Sequence, residues 1–210
     1  MKTVIFDLDG TLVDTATDIA ASINHVRAER YGLPPLSQET IVRLMNRTGL
    51  NLAYEFYGVE AYDRRAREMF EAHYSRQCLI HAKSFEGIYE LLFALKRSGA
   101  AMFVATNAPT KTSEIILKNN GIDAFFEDIV GADRVAYAKP HPQMIEKIVE
   151  RRPKERCWMV GDSPKDILAA RSAGITPIFA RWGFAKEIKE EIEADVTADI
   201  PSDVLDIVCV

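Results

Sequence analysis

Val4-Ile5-Phe6-Asp7-Leu8-Asp9-Gly10-Thr11-Leu12-Val13-Asp14-Thr15 is the stretch on which the fold turns. Its first residues, Val4 to Phe6, form a short apolar run of the kind a buried strand uses, and the run breaks at once into a Gly-containing turn. Comparable runs recur at residues 101–105, 129–131, 158–161 and 177–180. Helical patterns lie between them. Ile88, Leu91, Leu92 and Leu95 make one stripe closed by Gly99, Ile115 and Ile116 belong to a second before Gly121, Met144, Ile145 and Ile148 mark a third, and Ile167, Leu168 and Ala170 a fourth before Gly174. Strands alternating with helices predict an α/β class chain: a Rossmann-like parallel sheet with helices on both faces.

The alternation is suspended between residues 15 and 83. Ile19, Ile23 and Val26 repeat at helical spacing, Gly32-Leu33-Pro34-Pro35 breaks the pattern, Ser37 is placed to cap a second helix, and a further helical stretch runs from about Asp63 to Gln77. No strand pattern is evident there. The simplest organisation is an α/β core of residues 1–14 and 84–210, interrupted after its first strand by a small helical domain of residues 15–83, with hinges near Asp14-Thr15 and Lys83-Ser84.

Most of the apolar runs end in chemically distinctive residues: Asp7 and Asp9, then Thr106 and Asn107, then Asp162 and Ser163, with Lys139 in the loop after the third run. Open parallel sheets bind ligands outside the carboxyl ends of their strands, so these residues are expected to converge on one crevice. Carboxylates crowded around one lysine repel one another unless a cation sits among them, and hard oxygen donors suit Mg²⁺. Asp7 and Asp9, two residues apart in extended chain, project to one side, so one can attack while the other carries a proton. A carboxylate that attacks phosphorus approaches an anion, and a metal, Lys139, the Thr106 hydroxyl and free N–H groups of the Gly10 turn would neutralise the charge. The product of that attack is an aspartyl-phosphate, which water hydrolyses.

These segments resemble the motifs of the haloacid dehalogenase-like hydrolase superfamily. The stretch from Phe6 to Thr15 resembles its first motif, Thr106-Asn107 its second, Lys139-Pro140 its third and Gly161-Asp162-Ser163-Pro164-Lys165-Asp166 its fourth, in order and along the whole chain. The resemblance implies Asp7 as nucleophile and Asp9 as general acid/base. It implies Mg²⁺ held by the Asp7 side chain, the Asp9 backbone carbonyl and Asp162, with Asp166 in or next to the metal's ligand shell. Thr106, Asn107, Lys139 and Gly10 would bind the phosphoryl group. Asp9 speaks against a true dehalogenase, because dehalogenating members lack an acid there.

The helical insert would decide the substrate in such a protein. Asn46-Arg47-Thr48-Gly49 falls between two expected helices, where Arg47 can bind a carboxylate or a second anion through its planar fork. Phosphoglycolate phosphatases look closest, though Asn46 and the glycine spacing depart from their Gly-rich loop. The expected activity is thus Mg²⁺-dependent hydrolysis of a small phosphorylated metabolite, a phosphoglycolate-like phosphomonoester. A sugar phosphomutase of the β-phosphoglucomutase type is the alternative, weakened by Ile19 where those enzymes carry His; a pyrophosphatase or nucleotidase stays open. A binding protein that has lost catalysis is disfavoured by the presence of both Asp7 and Asp9.

Composition narrows the partners. With 26 Lys+Arg against 31 Asp+Glu the net charge is −5, which argues against nucleic acid as a partner. No apolar run approaches the ~18 residues of a membrane span. The first residues turn acidic at Asp7 before an export signal's apolar region forms, and Cys78, Cys157 and Cys209 make no C-x-x-C pair, so a cytoplasmic location with reduced thiols is expected. His25, His73, His81 and His141 lack zinc-ligand spacing, while Arg64, Arg65 and Arg67, and the mixed charges of residues 186–193, read as solvated helix faces. Oligomeric state is not legible from the sequence.

Overall fold

The computed structural model describes residues 1–184, 194 and 196–209. The first strand, β1 (Thr3–Phe6), is buried along its whole length and lies inside the sheet. Such a strand must be apolar on both sides, and its side chains divide between two cores. Val4 and Phe6 pack on one face with Leu91, Leu92, Leu95 and Leu117, while Ile5 packs on the other with Met144, Ile145, Ala169 and Ala170.

After β1 come the two-residue strand β2 (Val13–Asp14) and the helices α1 (Ala16–Tyr31), α2 (Gln38–Asn46), α3 (Leu52–Tyr57) and α4 (Arg64–Gln77). Strand β3 (Lys83–Ser84) then pairs antiparallel with β2, Val13 opposite Ser84 and Asp14 opposite Lys83. The chain therefore leaves the core and returns to it through one short ribbon. Then follow α5 (Ile88–Arg97), β4 (Ala101–Ala105), α6 (Thr110–Asn119), β5 (Asp128–Val130), α7 (Gln143–Val149), β6 (Cys157–Gly161), α8 (Pro164–Ala173), β7 (Thr176–Ala180), β8 (Thr197–Ala198) and α9 (Asp203–Cys209). The main sheet has the order β5-β4-β1-β6-β7-β8 and its pairings are all parallel. This is an α/β, Rossmann-like core with helices on both faces.

Local chemistry explains the element ends. Ser37, Asn51 and Asp63 cap α2, α3 and α4 by accepting backbone N–H bonds, and Gly32, Gly58 and Gly174 end α1, α3 and α8 in the left-handed conformation. Arg27 is buried in α1 and donates to Pro34 O and Phe56 O, tying α1 to the start of the next segment and to α3.

Several boundaries differ from expectation. The strand expected at 129–131 is Asp128–Val130, because the Gly131 N–H turns away to the Thr110 hydroxyl. β3 closes a segment expected to hold only helices. α3, β8 and α9 are short and lack a clear period, so the sequence did not announce them. The mixed-charge helix expected at 186–193 lies outside the described residues. No helix among the described residues is long and apolar enough to cross a membrane.

Candidate active site

β1, the centre of the sheet, delivers Asp7 just beyond its last residue. The Asp7 N–H still donates to Val160 O on β6 at 2.9 Å, so the carboxylate is set at the strand's carboxyl end. The next residues fold into a tight loop, in which Thr11, Leu12 and Val13 all donate backbone N–H bonds to Leu8 O. Gly10 sits there at φ 86°, and a Cβ on it would lie 2.4 Å from Asp162 Oδ2 and 2.7 Å from the Phe184 ring. Its own N–H donates to Val13 O at 2.9 Å. Of the N–H groups expected to be free in the Gly10 turn, those of Gly10, Thr11, Leu12 and Val13 are consumed by the turn itself, and the glycine is required for close approach.

Lys139 is the hub. Its ammonium, buried, donates to Asp7 Oδ1 at 2.8 Å, Asp166 Oδ1 at 2.6 Å and Ala105 O at 2.7 Å, which accounts for all three N–H groups. Asn107 fixes the loop that carries it: Nδ2 donates to Lys139 O at 2.9 Å and Oδ1 accepts from Lys139 N at 3.0 Å. Asn107 was expected to grip a phosphoryl group, yet here its amide holds the Lys139 backbone. Thr106, buried at the end of β4, accepts the Ala108 N–H at 3.1 Å, so its own O–H points its hydrogen elsewhere.

α8 begins where β6 ends, and its first turn is a reciprocal cap between Ser163 and Asp166. Asp166 Oδ2 accepts the Ser163 N–H at 3.1 Å and its O–H at 2.6 Å, while Oδ1 faces Lys139. Asp162 accepts from the Thr11 hydroxyl at 3.2 Å and from Phe184 N at 2.6 Å. Carboxylate oxygens of Asp7, Asp162 and Asp166 all lie within 4.8 Å of one another.

The electrostatics of this trio are unbalanced. Burial, then repulsion from Asp166, pushes Asp7 up to about 7 in spite of Lys139. Burial, followed by Asp166 and Asp7, holds Asp162 well above the ordinary carboxylate range. Burial alone would lower the Lys139 amine, but Asp166 and Asp7 outweigh it and the net shift is upward. Three buried acids around one lysine leave room for another positive charge, and the donors are the hard oxygens a divalent cation takes.

Asp9 stands apart from the trio. Its Oδ1 accepts from the Thr15 hydroxyl at 2.7 Å and from the Tyr74 hydroxyl at 2.8 Å. Burial raises its pKa, and those two donors only partly oppose the rise. Tyr74 comes from α4, so a residue of the helical insert touches the core's second aspartate. It was not singled out from the sequence; its place one turn after Phe70, on the apolar side of α4, was the available signal.

Beside Asp9 opens a cavity of about 310 Å³ between the carboxyl end of the sheet and the inserted helices. Asp9, Asn107, Pro109 and Lys165 form its core side, and Ile19, Phe56, Tyr57, Tyr62 and Phe70 are among the side chains opposite. Arg47, expected to reach a substrate anion, is exposed at the end of α2 and is not among the lining residues. Lys165 and Arg67 are, Arg67 being exposed as its solvated-face reading expected. Burial lowers the Lys165 amine below its usual range.

Gly161 carries one structural prediction. A Cβ there would lie 2.3 Å from the Asp166 Cβ and Cγ. Gly161→Ala is expected to displace Asp166, unseat Lys139 and cost about 1–3 kcal/mol. Urea unfolding checks this; an unchanged midpoint would mean that Asp166 can shift freely.

The family model of the haloacid dehalogenase-like hydrolases matches residues 4–180 of the chain. A phosphoglycolate phosphatase of Xanthomonas campestris pv. campestris (strain 8004) is 33% identical over 187 residues, covering 87% of this chain and 84% of its own. An N-acetylmuramic acid 6-phosphate phosphatase of Pseudomonas aeruginosa is 30% identical over 193 residues, covering 88% and 83%. Among solved structures, a haloacid dehalogenase-like family hydrolase from Streptococcus pneumoniae superposes with a TM-score of 0.82 at 28% identity, over 99% of this chain and 98% of that one.

Proposed function

Because the chain belongs to the haloacid dehalogenase-like hydrolases, we propose that Asp7 is the nucleophile and Asp9 the proton carrier of a phosphatase acting on a small phosphorylated metabolite. The observation that carries this is Lys139, held between Asp7 and Asp166 inside a buried trio of acids beside a cavity.

The Asp7 carboxylate attacks phosphorus as the bond from phosphorus to the substrate's alcohol oxygen breaks, giving an aspartyl-phosphate and a free alcohol. Asp9 gives the departing oxygen its proton. Thr15 and Tyr74 both donate to Oδ1 of Asp9, so the proton is carried on Oδ2, and burial, which raises its pKa, favours the protonated form. In the second half, Asp9 takes a proton from water as that water attacks phosphorus, which releases phosphate and restores Asp7. Lys139, whose N–H groups are committed to Asp7, Asp166 and Ala105 O, supplies positive charge beside the phosphoryl group. The Thr106 hydroxyl is the donor offered to its oxygens, Asn107 holds the Lys139 loop, and Gly10 lets the Asp7 loop close against Asp162.

Asp7, Asp162 and the Asp9 carbonyl are the groups we assign to Mg²⁺, with Asp166 adjoining them through its bond to Lys139. When bound there, Mg²⁺ supplies Lewis-acid stabilisation of phosphoryl charge. Residues 15–83 act as a cap over the core of residues 1–14 and 84–210, turning on the β2–β3 ribbon to admit substrate and exclude water. The phosphoglycolate and N-acetylmuramic acid 6-phosphate phosphatases among its relatives support a phosphomonoester of a small metabolite as substrate. A cytoplasmic location is supported by three free cysteines.

The test is phosphate release from phosphoglycolate, sugar phosphates, nucleotides and pyrophosphate, with Mg²⁺ or with EDTA. Release is expected with Mg²⁺ and lost in EDTA. Independently of activity, Mg²⁺ is expected to raise the thermal midpoint of the wild type and not that of Asp162→Asn. Equal release in EDTA, or equal shifts in both proteins, would remove the metal assignment.

A further inference from the structure

We propose that Lys165 is the residue that selects the substrate, by binding an anionic group, a carboxylate, on the alcohol that leaves; this rests on the phosphatase chemistry proposed above. Sequence reasoning gave that role to Arg47, which the fold leaves exposed and outside the cavity.

Lys165 lies in the first turn of α8, beside the Asp166 that holds Lys139, and so it is fixed relative to the reacting groups. Its side chain lines the same cavity as Asp9. The ammonium donates to Met45 O, in the last turn of α2, at 2.6 Å. An ammonium has three donors, and Lys139 shows a neighbouring one fully engaged by oxygen; the Met45 carbonyl marks where Lys165 meets a first acceptor. A carboxylate entering the cavity brings the same kind of atom with a full charge.

The rest of the lining makes that charge decisive. Phe56, Tyr57, Tyr62 and Phe70 present rings and little polarity, and the carboxylates of the lining are Asp9 and the exposed Glu71. On the aromatic side an ammonium discriminates strongly between an anion and a neutral isostere. Arg67 is the other cation among the lining residues, and it is exposed, so its charge is screened by water. A volume near 310 Å³ leaves space for a compact carboxylate-bearing phosphomonoester.

A matched pair tests this: phosphoglycolate against ethyl phosphate, which share a primary alcohol leaving group and differ in the carboxylate. p-Nitrophenyl phosphate reports the phosphatase chemistry alone. The wild type is expected to prefer phosphoglycolate in kcat/KM. Lys165→Met should lower the phosphoglycolate-to-ethyl phosphate ratio by about 10- to 100-fold, chiefly through KM, with Lys165→Gln close to it and Lys165→Arg retaining most of the preference. Lys165→Gln keeps a donor for Met45 O and serves if the methionine variant does not fold. A ratio unchanged in both neutral variants, with the two substrates falling together, would show that Lys165 only ties α8 to α2 and would overturn the proposal. A wild type that hydrolyses p-nitrophenyl phosphate but ignores the carboxylate would overturn it too, leaving the phosphatase reading intact. No release from any of the three would remove the phosphatase reading itself.

Discussion

Asp7→Asn is expected to reduce turnover by about 10⁴-fold or more while the protein stays folded. Asparagine matches aspartate in shape, and the Asp7 main chain is held independently of its side chain, through the N–H bond to Val160 O. What disappears is the attacking oxygen anion. The electrostatic cost of the change is small: burial and repulsion from Asp166 already push the Asp7 carboxyl up to about 7, so a neutral group there relieves strain even as it weakens the contact with Lys139. Phosphate release and thermal melting on the same sample check both halves. Substantial turnover in a pure, folded sample would mean that another group attacks phosphorus.

Lys139→Met carries the second large effect, and it acts on stability as well as rate. Lys139 is 5% exposed and gives the acidic trio its counter-charge. Removing one partner from such a buried group costs about 3–5 kcal/mol, or roughly 6–20 °C of thermal midpoint for a chain of this size. The sign of the pH dependence follows from the acids left behind. The folded pKa values of Asp7 and Asp162 lie above the unfolded value of 3.8, Asp7 already reaching about 7 with Lys139 present. A raised carboxyl stabilises the fold while protonated and loses that contribution as pH rises through its folded pKa. The deficit of Lys139→Met should therefore be small near pH 4 and grow through pH 7 and above. Turnover should fall by about 10²- to 10³-fold through lost stabilisation of phosphoryl charge. Melting curves across that pH range, with and without Mg²⁺, report it; a wild-type midpoint at pH 8 would show that the trio does not depend on Lys139.

Much of this was legible in the sequence for physical reasons that particular residues illustrate. β1, β4 and β6 are buried on both faces, so each appears as an unbroken apolar run, and a chemically distinctive residue right after such a run marks the carboxyl edge of the sheet. Asp7, Thr106 and Asp162 were found in that way, and the structure brings Asp7 and Asp162 into one cluster with Asp166. Lys139 follows no strand directly, and its convergence with the trio depends on the Asn107 amide that clasps its backbone.

What stayed hidden depends on how separate elements face one another. Tyr74 reads as one more apolar position of α4, and only the packing of α4 over the core brings its hydroxyl to Asp9. Arg47 looked like an anion receptor because it sits between helices, whereas the end of α2 turns it outward. Lys165 lay inside a quoted motif without a role, since nothing in a linear pattern shows that its amine crosses to Met45 O. The short elements α3, β8 and α9 lack the length over which a period becomes visible.

The covalent role of Asp7 is the centre of this account, and acid-quenched single turnover tests it most directly. Wild-type protein mixed with substrate and Mg²⁺ and quenched within milliseconds should yield a peptide containing Asp7 that has gained one phosphoryl group, removable by hydroxylamine and absent from Asp7→Asn. Phosphate release with no such adduct at any quench time, or an adduct on a different residue, would contradict it.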